Sequence, residues 1–212
     1  MDKRYAIFDM DGTLVDSMRY WKDLSAEYIR SKGCVPDEQM MKRCETMTMI
    51  ESARLFMDGY SLPGPPERLV DEMNAMMAEH YRRDVPLKSG AQDYVRALRA
   101  QGVRMCVATG TDAELARACL ERLGVADCFE DILSCEDIGV SKSRPDIYLL
   151  AAQRLGAQPG EIAAYEDAFF AARTAREAGF WLVGVYEPAY ASCWEQLQAL
   201  ACETITDWRE AL

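Results

Sequence analysis

Five short runs of apolar, β-favouring residues punctuate the chain, at 5–9, 103–109, 131–134, 162–166 and 182–186. Between the last four, apolar positions recur at helical spacing over 112–123, 146–155 and 169–178, and a like segment at 91–101 precedes the second run. Gly102, Gly124, Gly156 and Gly179 end these segments, glycine being the residue that most readily takes the left-handed conformation past a helix end. Pro145 opens one of them, and Thr111 with Glu114 reads as a capping box at the start of another. Strands alternating with helices of this length predict an α/β fold, a Rossmann-like parallel sheet with helices on both faces.

The stretch between the first two strands breaks the alternation. Residues 17–84 are too many for one crossover and read as all helix. Trp21, Leu24 and Tyr28 share one face, with Gly33 as a stop, and Leu69, Met73, Met76, Met77 and Tyr81 form a stripe behind Pro66. The expected organisation is a core built from 1–16 and 85–212, with a small inserted all-helical cap at 17–84.

Bulk properties narrow the function. The 212 residues are half apolar and 28% charged, as in an ordinary globular protein. The net charge of −11 disfavours nucleic acid and anionic lipid as partners. No apolar run approaches the roughly 18 residues of a membrane span. The first residues run straight into a strand without a signal-peptide apolar region, so no membrane partner and a cytoplasmic location are expected. A monomer is the working expectation. The eight cysteines are scattered, without a C-x-x-C pair, and read as free buried thiols. The insert carries ten Lys/Arg against twelve Asp/Glu, and the remainder 14 against 23, so the acidic surplus lies in the sheet domain.

In an open parallel sheet, ligands bind at the carboxyl ends of the strands. Those ends read Asp9-Met10-Asp11-Gly12-Thr13, Thr109-Gly110-Thr111 and Glu166-Asp167, and the loop at 140–145 adds Lys142. Four carboxylates converging on one crevice repel strongly, so some bind a metal or hold a proton. Oxygen ligands without His or Cys favour a hard cation, Mg²⁺ being the usual one. Thr109 and Lys142 supply a hydroxyl donor and a fixed positive charge. An anion-binding set beside an acid-rich metal set is what phosphoryl transfer requires.

The ordered set Asp9-x-Asp11-Gly12-Thr13-Leu14, Thr109, Lys142 and Glu166-Asp167 resembles the four motifs of the haloacid dehalogenase superfamily. The position of the insert resembles the subgroup with a small helical cap, which includes β-phosphoglucomutase and many sugar-phosphate phosphatases. The resemblance implies Mg²⁺-dependent hydrolysis of a small phosphorylated metabolite, with sugar or related phosphates leading. By that likeness Asp9 is the nucleophile that forms an aspartyl-phosphate, and Asp11 the general acid and base. Thr109 and the Gly110 N–H hold phosphoryl oxygens, and Lys142 holds both phosphate and Asp9. Mg²⁺ sits on the Asp9 carboxylate, the Asp11 carbonyl and Asp167, with Glu166 direct or through water.

Three residues depart from the family pattern. Ser143 stands where Pro usually follows the Lys, Ala168 replaces a Ser or Thr, and Ala171 replaces a Gly. The first is expected to loosen the Lys142 loop, and the second to weaken metal affinity. In the insert, Trp21 occupies the place of the mutases' His, and 44–51 has no base to grip a second phosphate, which disfavours a phosphomutase. Asp11 disfavours a dehalogenase. Trp21 is the insert residue expected to face substrate, while His80, Lys22, Lys32 and Lys42 read as solvated. The alternative from a different class is a non-hydrolytic phospho-ligand-binding regulator on the same fold.

Overall fold

Each of the five apolar runs forms a strand, and a sixth follows them in the computed structural model, which describes residues 4–44 and 47–211. The strands are β1 Tyr5–Phe8, β2 Arg104–Thr109, β3 Asp131–Ser134, β4 Ile162–Glu166, β5 Trp181–Val185 and β6 Glu203–Ile205. They make one sheet in the order β3-β2-β1-β4-β5-β6, every neighbouring pair parallel. This is the Rossmann-like α/β architecture that the alternation implies. The order reverses at β1 and β4, whose register pairs Phe8 with Tyr165. The crevice at that reversal is where such sheets bind ligands.

Both faces of the sheet are covered, which is why its strands are apolar throughout. Alternate residues of β1 point opposite ways. Ile7 joins Cys106, Ala108, Leu133, Ile162 and Ala164 under Ile147, Tyr148, Ala151 and Leu155. Phe8 faces the other way and stacks on Tyr165, ring centroids 4.2 Å apart, with Phe129 edge-on at 5.9 Å. Each fully buried apolar side chain of this size contributes about 1.5–3 kcal/mol.

The chain divides into two compact units, Met1–Asp16 with Val85–Leu212, and Ser17–Asp84. The second holds α1 Met18–Ser31, α2 Glu38–Cys44, α3 Met49–Tyr60 and α4 Pro66–Arg83. Leu24, Tyr28, Phe56, Leu69, Met73, Met77 and Tyr81 fill its core, whereas Met76 of the stripe is only half-buried. Trp21 is half-buried, and its Nε1–H donates to Tyr81 Oη at 3.0 Å. In the loop read as lacking a base, Glu45 and Thr46 lie outside the described residues. Thr48 and Glu51 are used internally as a capping box at the head of α3, with Thr48 N–H donating to Glu51 Oε2 at 2.8 Å.

In the sheet unit the helices are α5 Ala91–Ala100, α6 Ala113–Arg122, α7 Cys135–Ile138, α8 Asp146–Leu155, α9 Phe169–Glu177 and α10 Trp194–Leu200. Several expectations need correction. The cap of α6 is Asp112, whose carboxylate accepts Leu115 N–H at 2.9 Å, so Thr111 is free of that duty. All eight cysteines are free, but Cys34, Cys44, Cys193 and Cys202 are half-buried rather than buried. Lys32 is exposed as expected, its Nζ donating to Glu72 at 2.6 Å at the surface.

His80 is not a solvated helix end. Its side chain is 16% exposed, with Nε2 at 2.8 Å from Glu27 and Nδ1 at 3.0 Å from Asp84. Both ring nitrogens facing carboxylates requires both to carry protons. Burial opposes that charge, but the bonds to Asp84 and Glu27 outweigh it and raise the pKa above the ordinary histidine value. A raised folded-state pKa gives stability that is present below the unfolded value, about 6.5, and is lost as pH rises through the folded one. We therefore expect the melting temperature to fall as pH rises above about 6.5, and His80→Gln to flatten that dependence. Scanning calorimetry across this range checks it, and identical slopes for both proteins would contradict it.

Candidate active site

β1 delivers its last residues into a tight loop. Gly12 adopts φ 80°, a left-handed conformation that glycine takes without Cβ strain, and its N–H donates to Val15 O at 3.0 Å. Leu14 and Val15 N–H groups both donate to Met10 O, at 2.9 and 3.0 Å. This folding-back leaves Asp9 at the strand end, anchored through its N–H to Tyr165 O at 3.0 Å.

Lys142 binds the cluster together. Only 6% exposed, it donates from Nζ to Asp9 Oδ1 and, at 2.7 Å, to Glu166 Oε1. Tyr148 Oη donates to the same Glu166 oxygen at 2.6 Å. Asp167 is buried beside them and takes the Thr13 hydroxyl on Oδ1 at 3.3 Å. Asp11, half-buried, accepts on Oδ2 from Thr111 Oγ1 at 2.7 Å and Thr109 Oγ1 at 3.4 Å. The Thr109 hydroxyl also accepts Thr111 N–H at 3.0 Å, and Gly110 between them is exposed. Thus Asp9, Asp11, Thr109, Gly110, Lys142, Glu166 and Asp167 gather at one end of the sheet. Trp21 belongs to the helical unit, where its Nε1–H meets Tyr81 Oη.

The electrostatics of the buried groups do not balance. Asp9, Glu166 and Asp167 against Lys142 leave a formal −2 when all are ionised. At an effective dielectric near 20, like charges about 4 Å apart repel by about 4 kcal/mol. Burial, then Glu166 and Asp11, push the Asp9 carboxyl up to about 7 although Lys142 opposes the rise. Burial, then Asp9 and Glu166, hold Asp167 well above the ordinary carboxylate range. Lys142 remains firmly protonated: burial opposes its charge, but Asp9 and Glu166 more than offset it.

A hard divalent cation fits these residues. Carboxylate oxygens of Asp9, Glu166 and Asp167 lie within 4.8 Å of one another. Asp167 Oδ2 is buried with no hydrogen-bond partner among the described residues, an orphaned acceptor that costs about 1–3 kcal/mol unless something binds it. A doubly charged ion cancels the formal excess. The donors are all oxygen, as Mg²⁺ or Ca²⁺ requires.

The three departing residues have these surroundings. Ala168 is the N-cap position of α9 and makes no side-chain cap. The acidic loop is braced instead by Thr13 on Asp167 and by Tyr148 on Glu166. Tyr148 also reaches the Ala171 carbonyl at 3.4 Å. Ser143 is exposed and its hydroxyl meets that of Ser141 at 2.6 Å, while Lys142 beside it stays buried.

Four further residues take part that the strand-end pattern does not mark. Thr111 was assigned to a helix cap, although a second hydroxyl two residues after Thr109 was a usable signal. Tyr148 lies on a helix whose pattern marks it only as core. Lys88 pairs with the buried Glu187 at 2.7 Å and donates to Tyr186 O at 2.9 Å, a contact between segments about a hundred residues apart. Tyr190, half-buried, has its phenol pushed up to about 12 by burial and then by Asp167 and Asp9.

The sequence profile of the haloacid dehalogenase-like hydrolases matches residues 3–179. A fructose-1-phosphate phosphatase of Escherichia coli is 30% identical over 198 residues, covering 87% of this chain and 98% of its own. Hexitol phosphatase B of Escherichia coli is 28% identical over 169 residues, covering 76% of this chain and 74% of its own. A Thermotoga maritima protein assigned as a β-phosphoglucomutase shares the fold, with a TM-score of 0.83 at 21% identity, covering 99% of this chain and all of its own.

The shifted carboxyls give this site a pH signature. Asp9 and Asp167 bind protons more tightly folded than unfolded, so their ionisation costs stability as pH rises from about 4 toward 7. A cation favours the ionised form and recovers that loss. The rise in melting temperature on adding Mg²⁺ should therefore be larger at about pH 7.5 than at about pH 5.5, with protons released on binding. Thermal shift and calorimetry in two buffers test this, and an equal rise at both pH values without proton release would refute it.

Proposed function

This chain belongs to the haloacid dehalogenase-like hydrolases and is a phosphatase, and on that footing we propose that it hydrolyses sugar or related small phosphomonoesters with Mg²⁺ through an aspartyl-phosphate. The observation that carries the reading is the buried Asp9–Lys142–Glu166–Asp167 cluster with Asp11 tethered beside it by Thr111. The fructose-1-phosphate and hexitol phosphatases among its relatives supply the substrate class.

Asp9 attacks phosphorus, and the bond between phosphorus and the leaving alcohol oxygen breaks as the Asp9 acyl-phosphate bond forms. Asp11 gives the departing oxygen its proton. Water then attacks phosphorus, Asp11 takes a proton from it, and the P–O bond of the acyl phosphate breaks to release inorganic phosphate and the Asp9 carboxylate. Splitting one hard displacement in two is the use of a covalent nucleophile. Lys142 opposes the burial-driven rise in the Asp9 proton affinity and orients its carboxylate by direct donation, and its charge opposes the negative phosphoryl oxygens. Thr111 orients the Asp11 carboxyl, and the Thr109 hydroxyl with the Gly110 N–H holds phosphoryl oxygens. Asp9, Asp167, the Asp11 carbonyl and Glu166, direct or through water, would hold Mg²⁺, which supplies further positive charge against the transferring group. A phospho-ligand-binding regulator has no use for a second, oriented acid such as Asp11, which leaves that reading and the phosphomutase as outcomes of the test.

Phosphate release from a panel of phosphorylated metabolites, with and without Mg²⁺, is the direct measurement. Fructose 1-phosphate and hexitol phosphates are expected near the top, with activity lost on chelation and in Asp9→Asn. Asp11→Asn should lower kcat by about 10²–10⁴-fold while leaving phosphate affinity intact. Phosphate binding without turnover would replace this reading with a regulator, and transfer between two positions of one sugar would replace it with a mutase.

A further inference from the structure

The segment after β6 bonds to the loop that follows Asp9. After β6 the segment Trp208–Glu210 forms a single tight turn, capped by Asp207, whose carboxylate accepts Arg209 N–H at 2.9 Å. Trp208 is 2% exposed. Its ring lies among Tyr94, Tyr165 and Phe8, at centroid distances of 4.8, 5.9 and 6.2 Å. The turn docks on Gly90, where a Cβ would fall 2.7 Å from Arg209 N and 3.0 Å from Trp208 C. No side chain fits there, so the close approach of the two backbones depends on glycine.

The polar edge of the indole has one partner, and it is in the loop that follows Asp9. Trp208 Nε1–H donates to the Thr13 main-chain oxygen at 3.0 Å, across 195 residues of sequence. Thr13 is fully buried, and its hydroxyl is the group that meets Asp167 Oδ1. The other oxygen of Asp167 is the orphaned one. A continuous relay therefore runs from the C-terminal turn through one peptide and one hydroxyl to the carboxylate with a face left open.

We propose that Trp208 is a positioning residue, its indole N–H fixing the Thr13 peptide so that the Thr13 hydroxyl holds Asp167 in its cation-binding orientation. The inference rests on the reading of Asp167 as a metal ligand. Burying the ring alone would account for an aromatic residue, and Phe would serve. It does not account for an N–H aimed at a buried carbonyl of the Asp9 loop. Losing a group bonded directly to a metal-ligating carboxylate, as Thr13 is to Asp167, typically weakens metal binding about 10–100-fold, and Trp208 acts through Thr13.

Trp208→Phe keeps the ring and removes the donor. Mg²⁺ affinity, measured by calorimetry on the full chain, should fall about tenfold or more, with turnover recovering at high Mg²⁺. Thr13→Val breaks the same relay without touching the aromatic group and should weaken binding similarly. In a double mutant the second change should add little. Tyr94→Phe is the control: it removes the hydroxyl that meets Tyr165 Oη at 2.8 Å in the same cluster but does not touch Thr13. It should lower the melting temperature and leave Mg²⁺ affinity unchanged. Tight Mg²⁺ binding retained in folded Trp208→Phe, or an equal loss in Tyr94→Phe, overturns the relay while leaving the metal reading intact. A wild-type chain that binds no Mg²⁺ overturns both.

Discussion

The contact on which the site depends is the buried ammonium of Lys142 between Asp9 and Glu166. A lysine so deeply buried is tolerated only because two carboxylates face it, and two carboxylates come so close only because the lysine lies between them. The arrangement leaves Asp167 uncompensated, and burial, with Asp9 and Glu166 beside it, raises its proton affinity. The site is thus short of positive charge by an amount that a divalent cation or a bound proton relieves. The same shortage would attract a cation and keep a metal-free site from accumulating full negative charge.

The sheet order brings these groups together. β1 and β4 are neighbours at the reversal of strand order, so Asp9 and Asp167 leave adjacent strands although 158 residues of sequence separate them. β2 on the other side of β1 ends at Thr109, which brings the two threonine hydroxyls to Asp11. Lys142 arrives from the turn before α8, whose Tyr148 shares the Glu166 oxygen with it. Tyr148 thus serves twice, as part of the core under the sheet and as a donor to the acidic loop.

The sequence made the residues at strand ends legible because strand ends in a parallel sheet share one side of the domain. Apolar runs marked β1 to β5, and a short list of polar residues followed. β6 was not legible: three residues, Glu203, Thr204 and Ile205, at a sheet edge are too few to show a period. Thr111 was misassigned because Thr-x-x-Glu fits a capping box, yet Asp112 one residue on caps the helix and frees the Thr111 hydroxyl for Asp11. Histidine 80 was read as solvated because its two carboxylates, Glu27 and Asp84, include one from another helix, a pairing that no local pattern encodes. Lys88 with Glu187, and Trp208 with Thr13, are long-range contacts of the same kind.

Ala168 shows how bracing can move. A Ser or Thr at this position would bring a hydroxyl to the acidic loop and, as an N-cap, would contribute about 0.5–2 kcal/mol to α9. Here that hydroxyl is missing, while Asp167 takes one from Thr13 and Glu166 one from Tyr148. Both donors come from elements that are themselves locked, Tyr148 in the core under the sheet and Thr13 in a buried loop whose carbonyl holds the Trp208 indole. Support from within the loop would move with the loop; support from separate, packed elements does not. On this reasoning the orientation of the acidic pair depends less on its own turn than on α8 and on the last residues of the chain.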